Sequence, residues 1–170
     1  MTFTAAAFIG TSLDGFIARP DGDLTWLTTR GEQAGDLGYT DFIRDIDTVA
    51  LGRVTYETVL GFGAWPYEGK QVAVLSTTLP ASDERVTVYR SFDDLVAGLT
   101  PHSKRVYVDG GRLIQTFLRE GRLDELTVTR APVLIGEGMP LFGSLHGDVA
   151  LTHRLTVAYE SGFVQSTYTR

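Results

Sequence analysis

Residues 106–118 read VYVDGGRLIQTFL, and this stretch decides the fold. Val106, Tyr107 and Val108 are β-branched or aromatic, the residue types that suit a strand. Asp109, Gly110, Gly111 and Arg112 interrupt that run with turn chemistry. Leu113, Ile114, Phe117 and Leu118 then recur at the spacing that gathers apolar side chains on one helix face. Gly121 stands where a glycine just past a helix end belongs. A strand, a glycine turn and an amphipathic helix in immediate succession predict a βα unit of a parallel sheet.

The same order recurs on the N-terminal side at 48–57, TVALGRVTYE. A short buried strand over 48–51 stops at Gly52, and Tyr56, Val59 and Leu60 mark a helix that fades at Gly61 and Gly63. Residues 71–75 form a strand leading into Ser76, Thr77 and Thr78. Residues 86–89 form another. Ser91, with Asp94 three residues on, resembles a capping box, and Leu95, Val96 and Leu99 give the following helix its buried face. Further out, 3–9 reads as a first strand, a turn-rich loop follows, and Phe42, Ile43 and Ile46 fit a helix. Residues 125–134 are extended. Leu155, Val157 and Tyr159 alternate, turn near Gly162 and return through Val164, Ser166 and Tyr168, a hairpin. The prediction is a three-layer α/β fold: a mostly parallel central sheet, helices on both faces and an antiparallel hairpin at its C-terminal end.

The 170 residues fit a single domain spanning 1–170. Hydrophobic residues make up 43% and charged residues 21%, which supports a packed core over general disorder. A net charge of −6 argues against a nucleic-acid surface, which needs clustered Lys and Arg. The absence of cysteine excludes disulfides, thiolate zinc sites and thiol nucleophiles. His102, His146 and His153 lack metal-ligand spacing, so no metal is expected. No basic, apolar leader or bilayer-length run is evident, so the expectation is a cytoplasmic protein without a membrane partner.

Open α/β sheets bind ligands beyond the carboxyl ends of their strands. Three such places have suitable chemistry. At Gly52, Arg53, Val54 and Thr55, glycine admits a ligand to the backbone, helix N–H groups attract an anion, and arginine can grip a phosphate. Ser76, Thr77 and Thr78 offer hydroxyls after the next strand. Asp109, Gly110, Gly111 and Arg112 repeat the glycine-arginine pattern. Each alone also reads as a tight turn or a surface cation, and neither glycine site is a G-x-G-x-x-G or Walker loop. Their occurrence in order at successive strand ends is the specific signal.

With these motifs in place, the chain resembles the dihydrofolate reductase-like superfamily. Residues 48–57 resemble its Gly-Arg-x-Thr element and 106–118 its Gly-Gly-Arg element. SLDGFIA at 12–18 and GRLDELTVTRAPVLIGEGMPLF at 121–142 are more similar still to the reductase domain of the bifunctional riboflavin-biosynthesis deaminase-reductase, of which the chain looks like a stand-alone relative. The resemblance implies NADPH as cofactor. Arg53 would meet its 2′-phosphate, Val54, Thr55, Gly110, Gly111, Arg112 and Leu113 the pyrophosphate, Ser76 and Thr77 the adenine ribose, and Ala7 and Ile17 the nicotinamide. Such chemistry asks the protein for orientation, water exclusion and one proton. Asp14 and Asp23 are the candidate catalytic carboxylates, though an Asp-Gly turn and a helix start explain them equally. Trp26 and Trp65 are candidate substrate-lining residues. Residues 61–67 read GFGAWPY where riboflavin-type domains carry an acidic Asp-Asp-Pro stretch, Asp109 replaces the third glycine of dihydrofolate reductases, and Ile114 stands at their tyrosine position. The expected activity is an NADPH-dependent reductase of a pyrimidine or pterin-like small molecule, most like 5-amino-6-(5-phosphoribosylamino)uracil reductase. A dihydrofolate or other small-molecule reductase and a non-catalytic nucleotide-binding dimer are the alternatives. The exposed hairpin and sheet edge predict a homodimer.

Overall fold

The computed structural model describes residues 2–170. Its eight-stranded sheet is parallel through β5 (Thr87–Tyr89), β4 (Gln71–Leu75), β3 (Thr48–Gly52), β6 (Arg105–Asp109), β1 (Thr4–Thr11) and β7 (Glu125–Arg130), in that spatial order. β10 (Val164–Thr169) adds antiparallel to β7, and β9 (Thr152–Ala158) ends the sheet antiparallel to β10. A separate ribbon pairs β2 (Phe16–Ala18) with β8 (Met139–Pro140).

Side-chain alternation along the strands feeds two cores. On one face α4 (Phe92–Leu99) and α5 (Gly111–Arg119) pack Leu95, Leu99, Leu113, Ile114 and Phe117 on Ala50, Val106 and Val108. On the other, Tyr56 and Val59 of α3 (Arg53–Leu60) cover Val49, Leu51, Val74 and Tyr107. Tyr39, Phe42 and Ile43 of α2 (Tyr39–Arg44) join this second cluster. Trp26 of α1 (Thr25–Ala34) forms a smaller cluster with Ala131 and Phe163. Phe117 is fully buried, which contributes about 1.5–3 kcal/mol relative to exposure. Among the described residues no helix is long and apolar enough to cross a membrane.

The sheet, the glycine-ended strands and the Ser91 cap follow the sequence pattern; Ser91 accepts from the Asp94 N–H. Other expectations need correction. β2, of three residues, falls where the sequence suggested loop, and α1, which the sequence marks only as a helix start at Asp23, runs to Ala34; it buries Trp26 alone, so it shows no apolar stripe. Leu60 ends α3 facing solvent, and Ile46 lies beyond α2, although both remain apolar. The extended run at 125 stops as a strand at Arg130, two residues before Pro132, which has no N–H for a ladder. β9 does not bury an alternating face; Leu155 is 57% exposed.

Candidate functional site

β4, β3 and β6 end side by side, since Gly52 is level with Leu75 and Leu51 with Asp109. After β3 the chain turns into α3 on one face, and after β6 it turns into α5 on the opposite face. Neighbouring strands whose helices depart to opposite sides leave a crevice at their carboxyl ends, the place where open α/β sheets take ligands. All three predicted stations border this crevice.

The crevice is electrostatically prepared for an anion. Neither Gly52 nor Gly110, the residues that precede α3 and α5, offers a side-chain cap, and neither helix has an acid in its first turn. Arg53 and Arg112 stand there instead. α4, which follows the neighbouring strand β5, is by contrast capped by Ser91 and carries Asp93 and Asp94 in its first turn. The first N–H groups of α3 and α5 therefore lack side-chain acceptors, and their positive dipole ends lie beside arginines.

The glycines have distinct jobs. Over Gly52 an added Cβ would meet nothing within 4 Å, so the backbone is open to a ligand. Gly110 has φ +102°, and a Cβ there would run into Thr55 Oγ1; one on Gly111 would run into the Ile17 side chain. The Gly-Gly pair thus lets the start of α5 close onto α3 and β2, bringing Thr55, Ile17, Gly110 and Gly111 together. Open backbone at Gly52 beside exposed Arg53, Val54, Thr77 and Arg112 fits an extended phosphate-bearing ligand. Leu113 and Ala7 belong to the core, so their side chains are not open to a ligand.

Two side chains are already engaged. Arg53 Nη1 donates to both carboxylate oxygens of Glu57, at 2.8 and 2.9 Å, in a half-exposed pair. Ser76 is buried, and its Oγ accepts from the N–H groups of Thr78 and Leu79. Arg90 Nη1 in turn donates to the Ser76 and Leu79 carbonyls at 2.8 Å, fixing the loop that presents Thr77. Arg90 was not evident from sequence, because its partners are carbonyls of another loop.

The predicted carboxylates and tryptophans occupy four separate settings and are not brought together by their contacts. Asp14 accepts from the N–H groups of Ile135 and Gly136, tying the 12–15 turn to the loop after β7. Hydrogen bonds from Ser12, opposed by slight desolvation and aided by those two amides, hold its carboxyl below the usual range. Asp23 precedes α1, accepts from the Thr25 hydroxyl at 2.6 Å and lies 3.8 Å from Arg19. Trp26 is buried against Ala131 and Phe163, its indole N–H without a partner among the described residues. Trp65 packs edge-on against Tyr67, with the Arg85 guanidinium 4.4 Å from its ring centroid.

Sequence reasoning missed the ionisable group at the centre. Asp109 ends β6 directly before Gly110, whose N–H donates to its Oδ1 at 2.9 Å. Its carboxyl lies among the rings of the α2 and α3 face, and burial pushes it up to about 6 against the pull of the Gly110 and Tyr107 hydrogen bonds. The Tyr107 hydroxyl donates to the Phe8 carbonyl at 3.2 Å. Desolvation raises Tyr39 to about 12 and lifts Tyr67 and Tyr107 further, and the nearby Asp109 charge adds to each shift. The signal available beforehand was an acid in place of glycine at a strand end.

Comparison with known proteins places this arrangement among relatives. The sequence model described as RibD C-terminal domain matches residues 4–164. The chain is 37% identical over 169 residues to the uncharacterized protein YwjB of Bacillus subtilis (strain 168), covering 96% of this chain and 95% of YwjB. A crystal structure of a Shewanella sp. PV-4 protein, provisionally named for riboflavin biosynthesis, superposes with a TM-score of 0.88 at 35% identity over 98% of each chain. Dihydrofolate reductase from Enterococcus faecalis, solved with NADP(H) and a ligand named RAB-propyl, shares the fold at a TM-score of 0.65 and 21% identity, over 100% and 99% of the two chains.

Proposed function

The chain belongs to the RibD C-terminal domain family, and from that premise we propose that it is an NADPH-dependent reductase of a pyrimidine or pterin-like small molecule, most like 5-amino-6-(5-phosphoribosylamino)uracil reductase. The observation that carries this reading is the pair of uncapped, acid-free helix starts, α3 and α5, opening side by side with Arg53 and Arg112. When bound, the nicotinamide supplies the hydride. Arg53 holds the 2′-phosphate by exchanging its Glu57 partner for a more strongly charged one. The amides that follow Gly52 and Gly110 hold the pyrophosphate, and Thr77 borders the adenosine end. Ile17 and the backbone of Ala7 flank the ring and exclude water.

The carboxylates divide the remaining work. Asp109, pushed up to about 6, carries a proton in an appreciable fraction of molecules near neutrality and is the group assigned to deliver it to the acceptor nitrogen or oxygen. Asp14 stays ionised and clamps the loop over the ring. Asp23 offers a second, solvent-linked carboxylate at the start of α1. Trp65 borders the opening beside Tyr67.

Titration with NADPH and NADH followed by fluorescence tests the reading. Replacing Arg53 with alanine removes a charge-assisted contact of about 1.5–3 kcal/mol, so NADPH binding weakens about 10–100-fold while NADH binding holds. Failure of the protein to bind either nucleotide refutes the reductase reading. We also propose a homodimer through β9, supported by exposed Leu151 and Leu155 at this sheet edge. A monomer mass at every concentration in sedimentation analysis refutes it.

A further inference from the structure

The two arginines at the crevice stand in different surroundings. Arg112, exposed at the start of α5, enters no ion pair among the described residues. Arg53 does: Glu57, one turn further along α3, sets both carboxylate oxygens against its Nη1 at 2.8 and 2.9 Å. The two side chains are 45% and 47% exposed, so water competes with the pair and it adds little to stability. Tyr56 and Val59 hold α3 on the sheet without it.

The effect of Glu57 falls on ligands instead. The backbone at Gly52 is open, and Arg53 follows it directly. A phosphate monoester arriving there carries about 1.5–2 negative charges and takes the guanidinium as a forked donor. It finds Nη1 already engaged by a carboxylate. Like charges about 5 Å apart across one guanidinium repel in water enough to weaken binding about three- to tenfold. A nucleotide with a free 2′-hydroxyl brings no second charge to this point. Its pyrophosphate is common to both nucleotides and cancels from the comparison.

We propose that Glu57 is a specificity-determining residue for the cofactor: by holding Arg53 before a ligand arrives, it selectively lowers affinity for a 2′-phosphorylated adenine nucleotide and narrows the preference for NADPH over NADH. The proposal rests on the function given above, but its chemistry at the 2′-position is separable from hydride transfer. An arginine suits a 2′-phosphate and an acid suits a free ribose hydroxyl. This chain carries both on a single helical turn.

The test measures dissociation constants by calorimetry for adenosine 2′,5′-bisphosphate, 5′-AMP, NADPH and NADH, on the full chain and on Glu57→Gln. Glutamine keeps the side-chain length and an acceptor oxygen and removes the charge. The variant is expected to bind the bisphosphate and NADPH about three- to tenfold more tightly at low salt, with 5′-AMP and NADH moving less than about twofold. The gain is expected to shrink in about 0.5 M salt, which screens charge and leaves packing untouched. The same bisphosphate-to-AMP affinity ratio in both proteins overturns the proposal, as does a wild-type protein that binds the bisphosphate no better than 5′-AMP. Tighter bisphosphate binding in the variant, with NADPH held no more tightly than the bisphosphate, means that the nicotinamide half contributes nothing. The Glu57 assignment then stands and the reductase reading falls.

Discussion

Replacing Asp109 with asparagine probes the crevice most directly. The carboxyl rises from 3.8 to about 6 on folding, because burial disfavours the charged form. The folded protein therefore binds this proton more readily than the unfolded chain. Its stabilising effect is complete below about pH 4 and is lost as pH climbs through about 6. Each tenfold difference in proton affinity between the folded and unfolded chain is worth about 1.36 kcal/mol, so ionising Asp109 costs the native state about 3 kcal/mol by pH 8. Asparagine keeps an oxygen for the Gly110 N–H and has no proton to lose. Urea unfolding of both proteins from pH 4 to pH 8 is the assay, and the difference between them cancels the other titrating groups. The two should be near equal at pH 4, and the variant should gain up to about 3 kcal/mol by pH 8. The same variant is expected to reduce kcat and to remove the loss of rate as pH rises through about 6. Parallel stability profiles across the range would refute the assignment of a buried, raised carboxyl at this strand end.

Gly110→Ala forces a side chain into a positive-φ backbone and against Thr55 Oγ1, so the expected loss is about 2–5 kcal/mol, from backbone strain and overpacking together. Adding Thr55→Ala recovers the packing part and leaves the strain, which urea midpoints of the single and double variants separate. Phe117→Ala, at the centre of the α5 face, is expected to cost about 3–5 kcal/mol with an unchanged urea dependence; a cost below about 1 kcal/mol would mean that the first core is not built around α5.

Much of this architecture was legible because buried parallel strands are written as short apolar runs and their ends as glycine. Gly52 and Gly110 mark their strand ends to the residue, and Leu113, Ile114 and Phe117 announce α5 by spacing alone. Residues that meet only through folding left no such trace. Asp14 binds amides at 135 and 136, Arg90 binds carbonyls at 76 and 79, and Tyr39 and Tyr67 approach Asp109 from other segments of the chain. The Arg53–Glu57 pair was within reach, since four residues is one helical turn. The extent of α1 beyond its start at Asp23 escaped because it buries a single side chain and its neighbours are polar.

The pairing of β1 has a consequence for how the protein is made. Its neighbours are β6 and β7, with Thr4 opposite Arg105 and Ala6 opposite Glu125. At about 5–20 residues per second on the ribosome, the first strand waits about 5–20 s for the first of its partners to be synthesised. During that interval the apolar segment TAAAFIGT is an unpaired ribbon with no sheet to join. Nascent-chain holding factors would find their best target there, and ribosome stalling before residue 105 would be more damaging than stalling after residue 130.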